Sequence, residues 1–176
     1  MQNNFLEELV AEWLEYNGYI VKRNERVGPL PKGGYKGELD VVAFKPKINH
    51  LIHVEPTTDT YVVKPTTDKA ARARRDIERK FKKKFELGHE YIKGLFEGLT
   101  VPTEIEKKSL FAYGSNKKQE KIGGGQVVLA KNYILDILRE LKKPSLSRAV
   151  PEKYPILRAL QTVAYNWGYF NKELKK

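Results

Sequence analysis

The sequence predicts an α/β domain: a mixed central sheet with helices on its faces. Apolar residues recur at helical spacing near the N-terminus, where Phe5, Leu6, Leu9, Val10, Trp13 and Leu14 form one stripe. Short β-rich runs, GELDVVAF and HLIHVE, lie close together between turn residues. Helical and strand patterns then alternate along the chain, which argues against an all-α bundle or a β-sandwich.

The elements follow in order. A helix over 4–16 is capped by Asn3 or Asn4, has Glu7 in its first turn, and ends at Asn17-Gly18 with Gly18 left-handed. Tyr19–Arg23 is a short strand. GPLPKGGYKG, residues 28–37, is a turn-rich loop. Glu38–Phe44 and His50–Glu55 are strands joined at Lys45-Pro46-Lys47 into a hairpin. Pro56 to Asp68 is irregular; its two Pro-Thr-Thr-Asp copies read as turn and cap chemistry. A long helix runs from Asp68 to Tyr91, with a break expected at Gly88 and a cap from Thr66, Thr67 or Asp68. Glu104–Tyr113 and Gln126–Ala130 hold strands, separated by the basic, glycine-rich loop Ser115–Gly125. Helices over Asn132–Leu141 and Tyr154–Tyr165 close the order α-β-β-β-α-β-β-α-α. Residues 1–143 read as a core domain, and 144–176 as a helical extension on it. The aromatic residues Tyr154, Tyr165, Trp167, Tyr169 and Phe170 are expected in the core or in a dimer contact.

Composition narrows the function. The 176 residues suit one ordinary domain with a real core. There is no cysteine, which excludes disulfides, thiolate metal sites and cysteine nucleophiles. The N-terminal MQNNFLEELV has no basic n-region, so no signal peptide is expected, and no run approaches a membrane span. A cytoplasmic protein is expected. Thirty-three Lys and Arg against 22 Asp and Glu give a net charge of +11, a field that attracts polyanions: nucleic acid first, anionic membrane second. The densest positive stretch is 69–84, with Lys69, Arg72, Arg74, Arg75, Arg79, Lys80, Lys82, Lys83 and Lys84 against Asp76 and Glu78, a net of +7. Ile77, Phe81 and Phe85 recur every four residues and anchor one side of this helix, leaving its other faces for phosphate contacts. Neither GxxxxGK[ST] nor its strand–loop–helix setting occurs, so no nucleotide cofactor is expected. His50, His53 and His89 are not spaced as metal ligands.

The acids inside the strands point to chemistry. Asp40 lies three residues into an apolar strand, with Glu38, Val42 and Phe44 on its face. Aspartate is a poor strand residue and a buried charge is costly unless paired or bound to a cation. Glu55 ends the next strand. Two such acids on adjacent strands repel unless a cation lies between them, and Mg²⁺ is the usual hard cation for oxygen ligands. Glu7 falls at the border of the first helix's apolar stripe, beside Leu14, while Glu8 points away. It also suits an ordinary first-turn acid favoured by the helix dipole.

These residues resemble a pattern of the PD-(D/E)xK nuclease superfamily, as in archaeal Holliday-junction resolvases and YraN-type proteins. EELVAEWLEYNGYIVKRNERV, a glycine-rich loop and GELDVVA carry the likeness over residues 5–57. The resemblance implies a restriction-endonuclease-like sheet and Mg²⁺- or Mn²⁺-dependent cleavage of DNA. It makes Asp40 and Glu55 metal ligands, with Glu7 a third or water-mediated one, and His53 an orienting residue for Glu55. A homodimer follows only by analogy. The pattern departs at Thr57, which stands where the motif has lysine. Three explanations compete: the lysine has migrated to Lys64, Lys69 or Lys84; the metals suffice; or the protein binds nucleic acid without cutting it, on its own or as a subunit of a larger complex. Migration is preferred, with Lys69 assigned to the catalytic set and Arg72, Arg74, Arg75, Arg79, Lys80, Lys83 and Lys84 to the DNA backbone.

Overall fold

The computed structural model of the chain describes residues 4–114, 120–143 and 149–173. It divides into two compact units, Met1–Ala130 and Lys131–Lys176. The division falls ahead of the helix expected at 132–141, not at 143.

The first unit is α/β. Helix α1 (Phe5–Tyr16) starts at Asn4, whose side chain accepts from the Leu6 N–H at 3.1 Å, and Gly18 beyond it is left-handed at φ +81°. Its buried side chains include Leu6, Leu9, Val10 and Leu14; Phe5, expected in the stripe, is exposed. Strand β1 (Ile20–Pro29) is longer than expected because it pairs with β2 (Tyr35–Lys45) along its length, from Ile20–Phe44 to Pro29–Tyr35. The turn between them is therefore confined to 30–34. A 3₁₀ turn (Pro46–Ile48) and left-handed Asn49 lead into β3 (His50–Tyr61). Helix α2 (Asp68–Tyr91) is capped by Thr67 and runs unbroken through Gly88; another 3₁₀ turn (Ile92–Phe96) follows. Strands β4 (Glu106–Gly114), β5 (Lys121–Ile122) and β6 (Gly125–Leu129) complete the sheet. Part of the predicted loop at 115–125, residues 115–119, lies outside the described residues.

The six strands stand in the order β1-β2-β3-β4-β6-β5. β1, β2 and β3 are antiparallel, β3–β4 and β4–β6 parallel, and β5–β6 antiparallel. The predicted mixed sheet with helices is thus the observed architecture, with one added two-residue strand. On one face α2 sets Phe81, Phe85 and Leu87 into two apolar clusters. One gathers Val42, Phe44, Leu51, Ile92 and Phe96, the other Tyr61, Phe111, Ile122, Val127 and Leu129. Val41, Ala43, Ile52 and Val54 point to the opposite face and are also buried, and α1 contacts β1, β2 and β3.

The second unit holds most of α3 (Ala130–Leu141), with α4 (Pro155–Tyr165) and α5 (Trp167–Glu173). Tyr154 is buried as expected, but Tyr165, Trp167, Tyr169 and Phe170 are exposed. The helical pattern that ends at Tyr165 restarts at Trp167, and this extra helix turns those rings outward.

Candidate functional site

The site begins where the sheet forks. β2 and β3 pair from Lys45–His50 to Val41–Val54 and then part. Continued by one residue, that register sets Asp40 opposite Glu55. The Asp40 N–H, past the last ladder pair, is taken instead by Glu55 Oε1 at 3.3 Å. Beyond the fork β3 stays paired with β4, through pairs such as Glu55–Ser109 and Pro56–Leu110. Pro56, which has no N–H to donate, thus sits inside a strand that continues to Tyr61. The strand end expected at Glu55 is instead a fork.

Lys84 enters from α2. Its Nζ donates to Glu55 Oε2 at 2.5 Å and to Asp40 Oδ1. The side chains of Glu55, Asp40 and Lys84 are 0, 13 and 18% exposed, so the triad is nearly dry. Burial, and then the adjacent Glu55, push the Asp40 carboxyl up to about 7, against the pull of Lys84. Burial also holds Glu55 above the ordinary carboxylate range, despite hydrogen bonds from Asp40 and Lys84. Burial works against the Lys84 ammonium, but Glu55 and Asp40 outweigh it and raise its pKa. Two crowded carboxylates and a cation that both attract are thus one electrostatic unit.

His53 lies on the same strand face as Glu55. Its Nε2 is 2.6 Å from Glu55 Oε1, and the ring is fully buried. Burial, then Lys84, lower its pKa to about 3, so the ring is neutral and the contact is a hydrogen bond, not an ion pair. Because a carboxylate only accepts, Nε2 carries the proton; Nδ1 is then a bare acceptor, buried and without a partner among the described residues.

Glu7 stands beside this unit. Burial and then Asp40 raise its pKa, with Lys84 opposing. Glu8 instead binds Arg23 at 2.5 Å, an arginine shared with Glu15. Among the described residues no three His, Asp or Glu side chains converge as a closed set of metal ligands, so Glu7 does not complete one with Asp40 and Glu55. The two carboxylates do fit a divalent cation that takes its remaining ligands from water and phosphate.

Thr57 does not stand in for a lysine. Its Oγ1 donates to Asp59 Oδ2 at 2.7 Å and accepts the Asp59 N–H at 3.2 Å, closing a local turn. Lys64 is exposed ahead of α2, and Lys69 is exposed in its first turn. Fifteen residues at 1.5 Å rise put Lys69 about 22 Å along the helix from Lys84. The lysine in the site is therefore Lys84, and Lys69 is not part of it.

No family model matches the chain, and no curated protein does. A crystal structure of a protein of unknown function, AF1548, aligns with 92% of this chain and 96% of its own. Its identity is 14% and its TM-score 0.37, too low to carry an argument.

The cations assigned to a nucleic-acid face separate into classes. Arg72, Arg75, Arg79, Lys80 and Lys83 are exposed on α2. Arg79 also pairs with Asp76 at 2.9 Å, a weak surface contact. Arg74 is a structural clamp: its NH1 donates to Val62 O at 2.9 Å and to Val63 O, and its guanidinium lies 5.6 Å from the Tyr61 ring centroid. Lys84 leaves this face for the site. Gly88, expected to break the helix, instead sits against His53 within it; a glycine inside an otherwise strong helix is the signal that marks such a close approach.

Proposed function

We propose that the chain is a metal-dependent DNA endonuclease of the PD-(D/E)xK kind, with its motif lysine supplied from α2. The observation that carries this reading is the ammonium of Lys84 meeting both Asp40 and Glu55. It answers the absence of lysine at position 57 and favours migration over loss. Asp40 and Glu55 would hold Mg²⁺ or Mn²⁺, which when bound supplies Lewis acidity toward the phosphate and its attacking water. Lys84 remains charged at all physiological pH and places a donor beside the phosphate. Glu7 borders the site as a water-mediated partner. His53 holds Glu55 in place. The exposed arginines and lysines of α2 grip the backbone without reading bases.

A second reading, binding without cleavage, draws on the same basic face. Supercoiled, linear and branched DNA incubated with Mg²⁺ or Mn²⁺ separates the two. Cutting by wild type that is lost in Asp40→Asn and in Lys84→Met supports the nuclease. Salt-sensitive binding with no cutting under either metal supports the second reading. No salt-dependent binding refutes both.

A further inference from the structure

We propose that Gly88 and His53 form a positioning device through which α2 fixes both oxygens of Glu55 at once. Its catalytic consequence rests on the nuclease reading above; its geometry does not.

Gly88 is not there for its backbone. It lies inside an unbroken helix, and glycine is a poor helix residue compared with alanine. What it supplies is room. A Cβ at position 88 would lie 2.4 Å from His53 Nδ1 and 2.7 Å from its Cε1, closer than atoms can pack. The imidazole therefore rests directly on the helix backbone. Phe85 meets the ring edge-on, with centroids 5.0 Å apart and planes at 80°. So seated, His53 donates from Nε2 to Glu55 Oε1 at 2.6 Å. Lys84, one turn before Gly88 on the same helix face, donates to Glu55 Oε2 at 2.5 Å. One stretch of α2 thus delivers the cation to one carboxylate oxygen and seats the imidazole that grips the other.

Packing alone does not require this arrangement. The contact combines a mid-helix glycine with a buried acceptor, Nδ1, that has no partner among the described residues. Both are destabilising. An alanine at 88 facing an apolar side chain at 53 would remove both penalties and fill the space. Local rules broken together at one contact mark a functional requirement. Here the requirement is a donor that is rigid and directed at Glu55, with a bound metal's outer partner as the analogous role.

The test uses the full chain as wild type, Gly88→Ala, His53→Gln, His53→Ala and the His53→Ala/Gly88→Ala double variant. Nitrogen-15 NMR of the imidazole reads the device without reference to activity. Wild type is expected to show an exchange-protected Nε2 proton, and Gly88→Ala to lose that protection. On the cleavage rate, Gly88→Ala and His53→Ala are each expected to lower kcat roughly 10–100-fold with KM for DNA little changed. Glutamine at 53 keeps a donor near the Nε2 position and is expected to recover most of the loss. The double variant is expected to be no slower than either single one, since both break the same link. A wild-type ring protonated at Nδ1, or an Nε2 proton unmoved by Gly88→Ala, overturns the proposal whether or not DNA is cut. Equal kinetics for glutamine and alanine at 53 overturn it as well, and that comparison stands if Gly88→Ala fails to fold. A wild type that shows the protected proton but cuts nothing leaves the device in place and refutes the nuclease reading instead.

Discussion

Replacing Lys84 with methionine is the most direct probe of the buried unit. The change keeps the length of the stem and removes the charge. In the wild type the ammonium bridges a fully buried Glu55 and a nearly buried Asp40. Removing one partner of a buried ion pair costs about 3–5 kcal/mol, because the remaining charge is left uncompensated. Here the carboxylates can relieve part of that by taking up a proton. Asp40 already sits near 7, up from 3.8, which at 1.36 kcal/mol per unit is about 4 kcal/mol of strain on its ionised form. Without Lys84 the carboxyl pKa values climb further. A raised folded-state pKa contributes stability that is present below the unfolded value and lost as pH rises through the folded one. Lys84 stays charged throughout pH 5–8, so the pH dependence of the loss belongs to the acids. The loss is expected to be about 3 kcal/mol at pH 8 and about 1 kcal/mol at pH 5, where Asp40 holds a proton in both proteins. For a chain of this size that corresponds to roughly 6–12 °C in Tm at pH 8 and roughly 2–4 °C at pH 5. Urea unfolding followed by circular dichroism at both pH values measures it. Equal losses at the two pH values would show that Lys84 acts only through packing, and would refute the electrostatic account.

Other substitutions test neighbouring parts. Asp40→Asn removes the strained charge, so against wild type it should gain on the order of 2–4 kcal/mol between pH 4 and pH 8, read from paired denaturation curves. A flat difference would mean that Asp40 does not titrate near 7. Charge reversal at Arg72, Arg75 and Arg79 should weaken DNA binding and flatten its dependence on log salt by about 0.9 for each phosphate no longer neutralised. Binding isotherms at several salt concentrations measure that slope, and an unchanged slope would exclude this face. Arg74→Ala should behave oppositely, costing about 1–3 kcal/mol of stability by stranding the Val62 and Val63 carbonyls while leaving the slope nearly as it was. Thermal melts beside the same isotherms separate the two outcomes.

What the sequence revealed and what it hid divide along physical lines. Local periodicity placed α1 and α2, because caps and apolar stripes are written within a few residues. It also marked Asp40, since an acid inside an apolar strand is improbable without a partner. Strand ends were less legible. β1 and β3 run on past turn-like residues because their neighbours supply hydrogen bonds that no single segment reveals. The aromatic residues at 165–170 read as core or dimer contact; in the single chain Tyr165, Trp167, Tyr169 and Phe170 are exposed, which leaves the dimer reading open. The choice among Lys64, Lys69 and Lys84 was undecidable from spacing, because it depends on how α2 crosses the sheet. The lysine that faces the acids is the one on the turn bearing Phe81 and Phe85, the rings that fix the helix to the core.

The position of that crossing follows from the fork. If β2 and β3 stayed paired to their ends, Asp40 would give its N–H to a backbone carbonyl and Glu55 would need another donor. Because they part after Val41 and Val54, the freed N–H turns to the Glu55 carboxylate. The fork leaves two acids facing one another with one side open, and a helix whose glycine allows close approach brings a lysine to that side. Thr57 is bonded to Asp59 at the register shift in β3, and the ammonium that meets the two acids comes from α2.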